Sequence, residues 1–134
     1  MIRPAEESDL DYVYATWAHG VVSGKRLGSM RTRYLLAQVN DAMEQARVIV
    51  DVRPGKRPEG DIVGWLCYTP LRSTGVVHWV YVRKTHRGNG IARGLLDAAG
   101  VDTSRAIPYT SEAKAAADIS EKPKHFVPMK DILL

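Results

Sequence analysis

The chain has 134 residues, a net charge of +4 and 45% apolar residues, and Cys67 is its single cysteine. This size fits one domain spanning residues 1–134, and the apolar share excludes a chain that is disordered throughout. One cysteine excludes an internal disulfide, and no apolar run approaches the roughly 20 residues that cross a bilayer. The polar, acidic start of the chain favours a cytoplasmic protein without a membrane partner.

The first predicted elements are a short edge strand and an amphipathic helix. Residues 1–4 end in Pro4, which is tolerated in an edge strand. Ser8 and Asp11 have the spacing of a capping box, and apolar residues then recur at helical intervals. The pattern therefore predicts a strand at residues 1–4 and a helix over residues 9–19.

The middle of the chain predicts a loop, a second helix and three strands. Residues 20–28 are polar and contain glycine, which favours a loop, and residues 31–46 carry an apolar stripe at helical spacing. Three runs rich in β-branched residues follow at 47–53, 62–68 and 76–82, separated by turn residues. Short turns between the runs predict an antiparallel meander.

The last part of the chain predicts a return to the same sheet. Apolar residues recur at helical spacing from Ile91 until Gly100, and residues 106–109 read as a short strand. A helix between two strands brings the second strand back parallel to the first. The alanine-rich residues 112–122 predict a further helix, and residues 126–134 predict a final strand or hairpin.

A strand, a glycine-containing turn and a helix follow one another between Val80 and Ala92. A helix N-terminus offers backbone N–H groups and a partial positive charge to a ligand. Gly88 and Gly90 let the backbone approach that ligand closely, and Arg87 adds a cation with forked donors. These features predict a phosphate cradle. No Gly-Lys-Ser/Thr follows, which excludes a Walker loop, and the third glycine of a dinucleotide fingerprint is absent.

The run Arg87-Gly88-Asn89-Gly90-Ile91-Ala92 resembles the signature Gln/Arg-x-x-Gly-x-Gly/Ala of the GNAT family of N-acetyltransferases, with Arg87, Gly90 and Ala92 on its three specified positions. The order of elements is similar over nearly the whole chain, whereas sharp motif identity covers about residues 80–100. The resemblance implies a mixed, mostly antiparallel α/β sheet whose fourth strand, following loop and helix form an acetyl-CoA cradle. In size and charge the chain resembles a small, phage-type member. An ordinary strand–turn–helix with glycines in the turn is the alternative.

The resemblance also implies which residues bind acetyl-CoA, the acyl donor. The strand backbone at Tyr81, Val82 and Arg83 is expected to pair with the pantetheine arm, and the loop amides are expected to bind the pyrophosphate. The loop residues implied in this way are Arg87, Gly88, Asn89, Gly90, Ile91 and Ala92. The chain departs from the family at Lys84, where Pro is usual, and at Ala117, where a Tyr commonly serves as general acid.

Acyl transfer to an amine requires removal of the amine proton and return of a proton to the thiolate. His78, on the predicted strand 76–82, is a candidate general base, and a hydrogen-bonded core histidine is the alternative. Tyr109, at the end of the predicted strand 106–109, is a candidate acid, and a packing aromatic is the alternative. No metal is predicted, because metal-ligand spacing is missing among the four histidines, His19, His78, His86 and His125.

The sequence favours an enzyme that moves acetyl from acetyl-CoA to an amine of a small molecule, a protein or a nucleic acid. The alternatives are a DNA base-modifying enzyme similar to the phage Mom proteins, and a non-catalytic CoA-binding or regulatory module. The positive net charge of the chain fits an anionic ligand such as acetyl-CoA or DNA. A slightly basic solvated surface explains the charge as well. A monomer and a homodimer both stay open. Four aromatic residues form either an acceptor pocket or part of the core: Trp17, Trp65, Tyr68 and Trp79.

Overall fold

The computed structural model describes residues 1–22, 28–110 and 125–126. Three α-helices and six strands lie in these ranges, together with single turns of 3-10 helix at Glu7–Asp9 and Lys84–His86. In chain order the elements are β1 (Ile2–Pro4), α1 (Leu10–Val22), α2 (Ser29–Gln45), β2 (Arg47–Arg53), β3 (Asp61–Pro70), β4 (Gly75–Val82), α3 (Ile91–Ala98), β5 (Pro108–Tyr109) and β6 (His125–Phe126).

All six strands belong to one sheet, in which the spatial order β1-β2-β3-β4-β5-β6 follows the chain order. The three pairs formed in succession by β1, β2, β3 and β4 are antiparallel. Strand β5 then pairs parallel with β4 through Val77 and Tyr109, and β6 pairs parallel with β5. The predicted meander, the parallel return and the mixed, mostly antiparallel α/β fold are therefore confirmed.

Strand β4 contains a bulge where it pairs with β3. Cys67 lies opposite Trp79, but the next residue of β3, Tyr68, lies opposite Val77. His78 is consequently the additional residue of β4. Because a bulge bends a strand and changes the direction of the side chains around it, His78 departs from the two-residue alternation of a regular strand.

Helices cover both faces of the sheet. Helix α3 covers one face, where Leu95 packs with Val80 and Val82 of β4. Helices α1 and α2 cover the other face, against which Trp79 and Tyr81 of β4 pack. Alternation along β4 therefore sends its apolar aliphatic side chains into one core and its aromatic side chains toward the other.

Most element boundaries agree with the sequence predictions, and two corrections concern α1. The predicted capping box at Ser8 and Asp11 is wrong, because the Glu6 amide donates to Asp9 Oδ2 at 2.7 Å. A turn of 3-10 helix precedes α1 and moves the reciprocal hydrogen bonding toward the N-terminus. Arg3 donates to the same Asp9 carboxylate at 2.7 Å, and this bond lowers the pKa of Asp9. The second correction is that α1 continues to Val22, so the predicted loop does not begin at residue 20.

The C-terminal predictions lie mostly outside the described residues. Strand β6 begins at His125, one residue before the predicted final strand. The helix predicted over residues 112–122 and the remainder of the predicted final strand are not among the residues that the structure describes.

Candidate active site

A cavity of about 640 Å³ lies between α1, β4 and the N-terminus of α3. Helix α1 contributes small and polar side chains, β4 contributes four consecutive residues, and the turn before α3 contributes glycines and arginines. The lining residues are Thr16, His19, Gly20, Trp79, Val80, Tyr81, Val82, Arg87, Gly88, Gly90, Ile91, Ala92 and Arg93. Seven of the nine residues predicted to bind acetyl-CoA are thus among those that line one cavity.

The turn that ends at α3, residues 87–93 here called the cradle, depends on two glycines with left-handed backbone. Gly88 has φ +84° and Gly90, the N-cap of α3, has φ +76°. An L side chain rarely adopts these values, whereas glycine adopts them without strain. The first backbone bond of α3 runs from the Gly94 amide to the Gly90 carbonyl at 3.0 Å. Amides of the first turn, including those of Ile91 and Ala92, therefore have no acceptor within the helix.

Arg87 connects the cradle to the end of β4. Its Nε donates to the Val82 carbonyl oxygen at 3.0 Å, so one of the forked donors holds the turn against the strand. The two terminal nitrogens of the guanidinium are then available to a bound anion, and the side chain is exposed at the cavity wall. A fixed orientation is what a bidentate anion contact requires.

Gly64 of β3 sets the distance between α3 and the sheet. A Cβ at this position would lie 2.9 Å from Ile91 Cγ2 and 2.9 Å from the Tyr81 carbonyl oxygen. Glycine therefore lets the first residue of α3 rest directly on the sheet beside β4. This close contact keeps the cradle in line with the strand that forms the rest of the cavity.

Two predicted cofactor residues lie away from the cavity wall. Arg83 is half-buried, with its guanidinium carbon 5.8 Å from the centre of the Tyr12 ring and a nitrogen 3.8 Å from Asp61 Oδ2. Asn89 donates from its side chain to the His86 carbonyl oxygen at 3.3 Å, which stabilises the turn. A role of either residue in cofactor binding stays a prediction.

Aromatic side chains form the wall of the cavity on the α1 side. Trp79 and Tyr81 line it, while Trp17 and Trp65 are fully buried behind them. The ring centres of Trp17 and Trp79 are 6.3 Å apart, and those of Trp65 and Tyr81 are 6.1 Å apart. Of the aromatic set named from the sequence, only Trp79 lines this cavity, and Tyr68 belongs to the core under α3.

His78 is completely buried and does not line the cavity. Its Nδ1 is 2.6 Å from Thr110 Oγ1, and its Nε2 is 2.7 Å from Thr69 Oγ1. Burial lowers the pKa of His78 to about 4, so the imidazole is neutral at neutral pH. This geometry is that of the hydrogen-bonded core histidine, the alternative that the sequence left open, and a role as general base stays a prediction.

Tyr109 lies in β5 and also does not line the cavity. It pairs with Val77, is partly buried, and packs against the apolar core beneath α3. Its role as the acid stays a prediction too. Ala117, which the resemblance aligns with the family's tyrosine acid, lies outside the described residues.

Sequence reasoning missed the contribution of α1 to the cavity. Thr16, His19 and Gly20 line it, although His19 entered the sequence analysis only as a rejected metal ligand and Gly20 only as the start of a loop. An available signal was the spacing of three residues between Thr16 and His19 on the predicted helix 9–19, which puts these two polar side chains on one face. The described ranges hold no cluster of three His, Cys, Asp or Glu that would bind a metal ion.

The comparisons with known proteins fit this arrangement of sheet, cradle and cavity. The profile of the Acetyltransferase (GNAT) family matches residues 29–100, more than half of the 134 residues. The fold and the cradle define an α/β protein of the acetyltransferase class. The chain belongs to the GNAT family, and this membership supports acetyl-CoA as the acyl donor. Curated protein sequences give no significant match.

Solved structures agree on the fold at low sequence identity. A protein from Pyrococcus furiosus assigned as an acetyl transferase has a TM-score of 0.54 and 15% identity, over 96% of this chain and 80% of that chain. Histone acetyltransferase HPA2 and related acetyltransferase from Corynebacterium glutamicum has a TM-score of 0.52 and 15% identity, over 73% of this chain and 68% of that chain. The yncA protein of Salmonella typhimurium, solved with its cofactor acetyl-CoA, has a TM-score of 0.44 and 20% identity, over 74% of this chain and 60% of that chain. At these identities the first two structures, with TM-scores above 0.5, show the fold alone.

None of the helices in the described ranges has both the length and the apolar character that crossing a bilayer requires.

Proposed function

We propose that this chain transfers an acetyl group from acetyl-CoA to an amine acceptor. The observation that carries the proposal is the continuity of one cavity from the cradle, through the end of β4, to the aromatic wall beside α1. Membership in the GNAT family supports the same donor and the same class of reaction.

The cradle fits the pyrophosphate of acetyl-CoA. Backbone amides at the N-terminus of α3 supply donors and a partial positive charge, and Arg87 supplies a cation that is already oriented. Arg93 adds a second cation to the cavity wall. Gly88 and Gly90 add no side chain to this part of the cavity lining, and the space where a Cβ would lie at either residue is open.

The end of β4 fits the extended pantetheine arm. Within the described residues, β5 pairs with β4 only at Val77 and Tyr109, where the Thr110 amide also donates to the Val77 carbonyl oxygen at 3.0 Å. Residues 79–82 of β4 continue past this pairing along the cavity wall. A strand edge without a neighbour offers amide and carbonyl groups to an extended ligand, and the two amide groups of pantetheine match this requirement.

The aromatic wall belongs to the end of the cavity where the acetyl group would lie. Trp79 presents an apolar surface that excludes water from a thioester, and exclusion of water limits hydrolysis of the donor. His78 and Tyr109 stay the base and acid candidates from the sequence, and neither of them lines the cavity. A cytoplasmic location and a monomeric or homodimeric state are retained as further predictions.

Calorimetric titration with acetyl-CoA, followed by thiol release in the presence of amines, tests the proposed function. The panel contains small amines, peptides with free N-termini, and DNA. We expect saturable binding and thiol release that depends on one class of amine. Acetyl-CoA binding without thiol release would favour the non-catalytic module. Salt-sensitive modification of DNA would favour the base-modifying alternative, because phosphate contacts release counterions.

A further inference from the structure

We propose that His19 is the general base that takes the proton from the acceptor amine. This inference rests on the proposed function, since it assigns a residue to the acceptor end of the same cavity. His19 lines the cavity from α1 and is exposed, whereas His78 is completely buried.

The contacts of α1 with β4 define two ends of the cavity. Tyr12 packs edge-on against Tyr81, with ring centres 6.2 Å apart, while Trp17, further along α1, stacks on Trp79. Gly20 approaches Trp79 so closely that a Cβ would lie 3.0 Å from Trp79 Cζ2. Helix α1 therefore runs from the cradle side of β4 toward Trp79, and its last cavity residues lie at the far end.

The bound donor would follow the same direction. With the pyrophosphate at the cradle, the pantetheine arm extends along β4 from Val82 toward Trp79, and the thioester is at the end beside Gly20. His19 precedes Gly20 on α1 and lines the same cavity. Its imidazole is thus a cavity group at the end where the acceptor amine meets the thioester.

The other charged and titratable groups around the cavity do not serve as a base. Arg87 and Arg93 are cations, and burial raises the pKa of Tyr81 to about 12. No carboxylate is among the lining residues that the structure describes. An imidazole changes its charge between pH 5 and 8 and suits proton transfer near neutral pH.

The proton balance of the reaction gives His19 a defined step. The neutral imidazole takes one proton from the ammonium group of the acceptor, and the free amine attacks the thioester carbonyl. A C–N bond forms and the C–S bond breaks, so that the thiolate leaves. The second proton, released by the nitrogen as the amide forms, protonates the thiolate. His19 is exposed and returns its proton to bulk water.

The variant His19→Gln removes the base and keeps a polar side chain of similar length. We expect its turnover to fall by roughly 10²–10⁴-fold, with the Kd for acetyl-CoA unchanged within about twofold, because proton transfer is lost while the cradle is intact. The low-pH limb of the rate profile should disappear. In His19→Ala, added imidazole should restore part of the rate, which a purely structural role would not allow.

The variant His86→Gln is the matched control. His86 lies outside the cavity lining, and its Nδ1 is 3.1 Å from Thr85 Oγ1. We expect this variant to keep the rate and the pH profile of the unmodified chain.

Two outcomes would overturn the assignment, and they can be told apart. If His19→Gln keeps its rate within about twofold together with the low-pH limb, His19 is not the base and the proposed function still stands. If the unmodified chain neither binds acetyl-CoA nor releases thiol with any amine of the panel, the proposed function fails, and the role of His19 fails with it.

Discussion

The cradle and the proposed acceptor end of the cavity are built in opposite ways. The cradle is one continuous stretch, residues 87–93, and its proposed contacts to a ligand come from backbone amides, backbone conformation and one anchored arginine. The acceptor end joins His19 and Gly20 of α1 to Trp79 of β4, which are far apart in the chain. A site built from backbone groups needs glycine at fixed spacing, and this spacing can be recognised in the sequence. A site assembled from side chains of distant elements needs the fold before it can be recognised.

Gly90→Val should have the largest effect on the cradle side. Valine is β-branched and strained at φ +76°, so the turn would change its backbone conformation and move the amides of α3. Losing two charge-assisted bonds of about 1.5–3 kcal/mol each should weaken acetyl-CoA binding by roughly a hundredfold or more. Calorimetric titration measures this change.

Gly28→Val is the control for that substitution. Gly28 caps α2 with φ −65°, and a Cβ there meets no atom within 4 Å. Its acetyl-CoA affinity should equal that of the unmodified chain. Unchanged affinity in Gly90→Val, with the fold retained by circular dichroism, would contradict the assignment of the cradle.

His78 provides a test of stability rather than of binding. Its pKa is about 4 in the folded chain against an ordinary 6.5, so the unfolded chain binds the proton first as the pH falls. The contribution of neutral His78 to the free energy of unfolding is therefore complete above pH 6.5 and declines below it. Near pH 4 the folded chain has lost about 3 kcal/mol of stability from this group. Urea unfolding at several pH values measures the decline.

His78→Gln isolates this contribution from those of the carboxylates. Asp9 and Asp61 have lowered pKa values and also lose stabilising interactions in acid, but they do so equally in both chains. The difference in unfolding free energy between the two chains should therefore shrink as the pH falls from 6.5 to 4. A constant difference would mean that His78 is not the buried neutral group. Loss of the low-pH limb of the rate profile in this variant would identify His78 as the base.

The sequence predicted the parts of the molecule that follow from local patterns. The meander, the parallel return and α3 followed from runs of β-branched residues, short turns and helical spacing. The cradle was predicted because Gly88 and Gly90 let the backbone approach a ligand closely at the start of a helix. The structure adds that both glycines have left-handed backbone. These features depend on neighbours in the chain, which one sequence displays.

The features that one sequence could not display depend on tertiary contacts. The bulge at His78 arises from the register between β3 and β4, and it is absent from the pattern of apolar residues. His78 also gains two threonine partners from other strands or their ends, Thr69 and Thr110. His19 lies within the predicted helix, but its place in one lining with Trp79 depends on how α1 packs against β4. The continuation of α1 through Gly20 was missed because glycine inside a helix carries a local penalty and favoured a loop.

Arg87→Ala should weaken acetyl-CoA binding by roughly tenfold to a hundredfold. A charge-assisted bond contributes about 1.5–3 kcal/mol, and 1.4 kcal/mol corresponds to a factor of ten. Arg87→Lys should recover only part of the loss, because lysine restores the charge but neither the fork nor the Nε bond to the Val82 carbonyl. Calorimetry with CoA and with pantetheine separates the phosphate contribution.

Arg105→Ala is the control for the loss of one positive charge. Arg105 is exposed and pairs with Asp102 away from the cavity, so its removal should change affinity by a few tenths of a kcal/mol at most. A penalty of Arg87→Ala that persists with pantetheine, which has no pyrophosphate, would show that Arg87 acts elsewhere than on the phosphates.

Gly20→Ala should have the smallest effect, and it should be confined to the acceptor end. The new Cβ would lie 3.0 Å from Trp79 Cζ2, so the indole must move by a few tenths of an ångström, while the cradle is unaffected. We expect turnover or the KM for the amine to change by less than about tenfold, at an unchanged Kd for acetyl-CoA. The matched control is Gly94→Ala in α3, where the Cβ makes an ordinary 3.8 Å contact with Ile2 and helix propensity adds roughly 1 kcal/mol of stability. A Gly20→Ala chain that loses acetyl-CoA affinity as strongly as Arg87→Ala would mean that the two ends are not separate, because a shift of Trp79 would then reach the phosphate contacts.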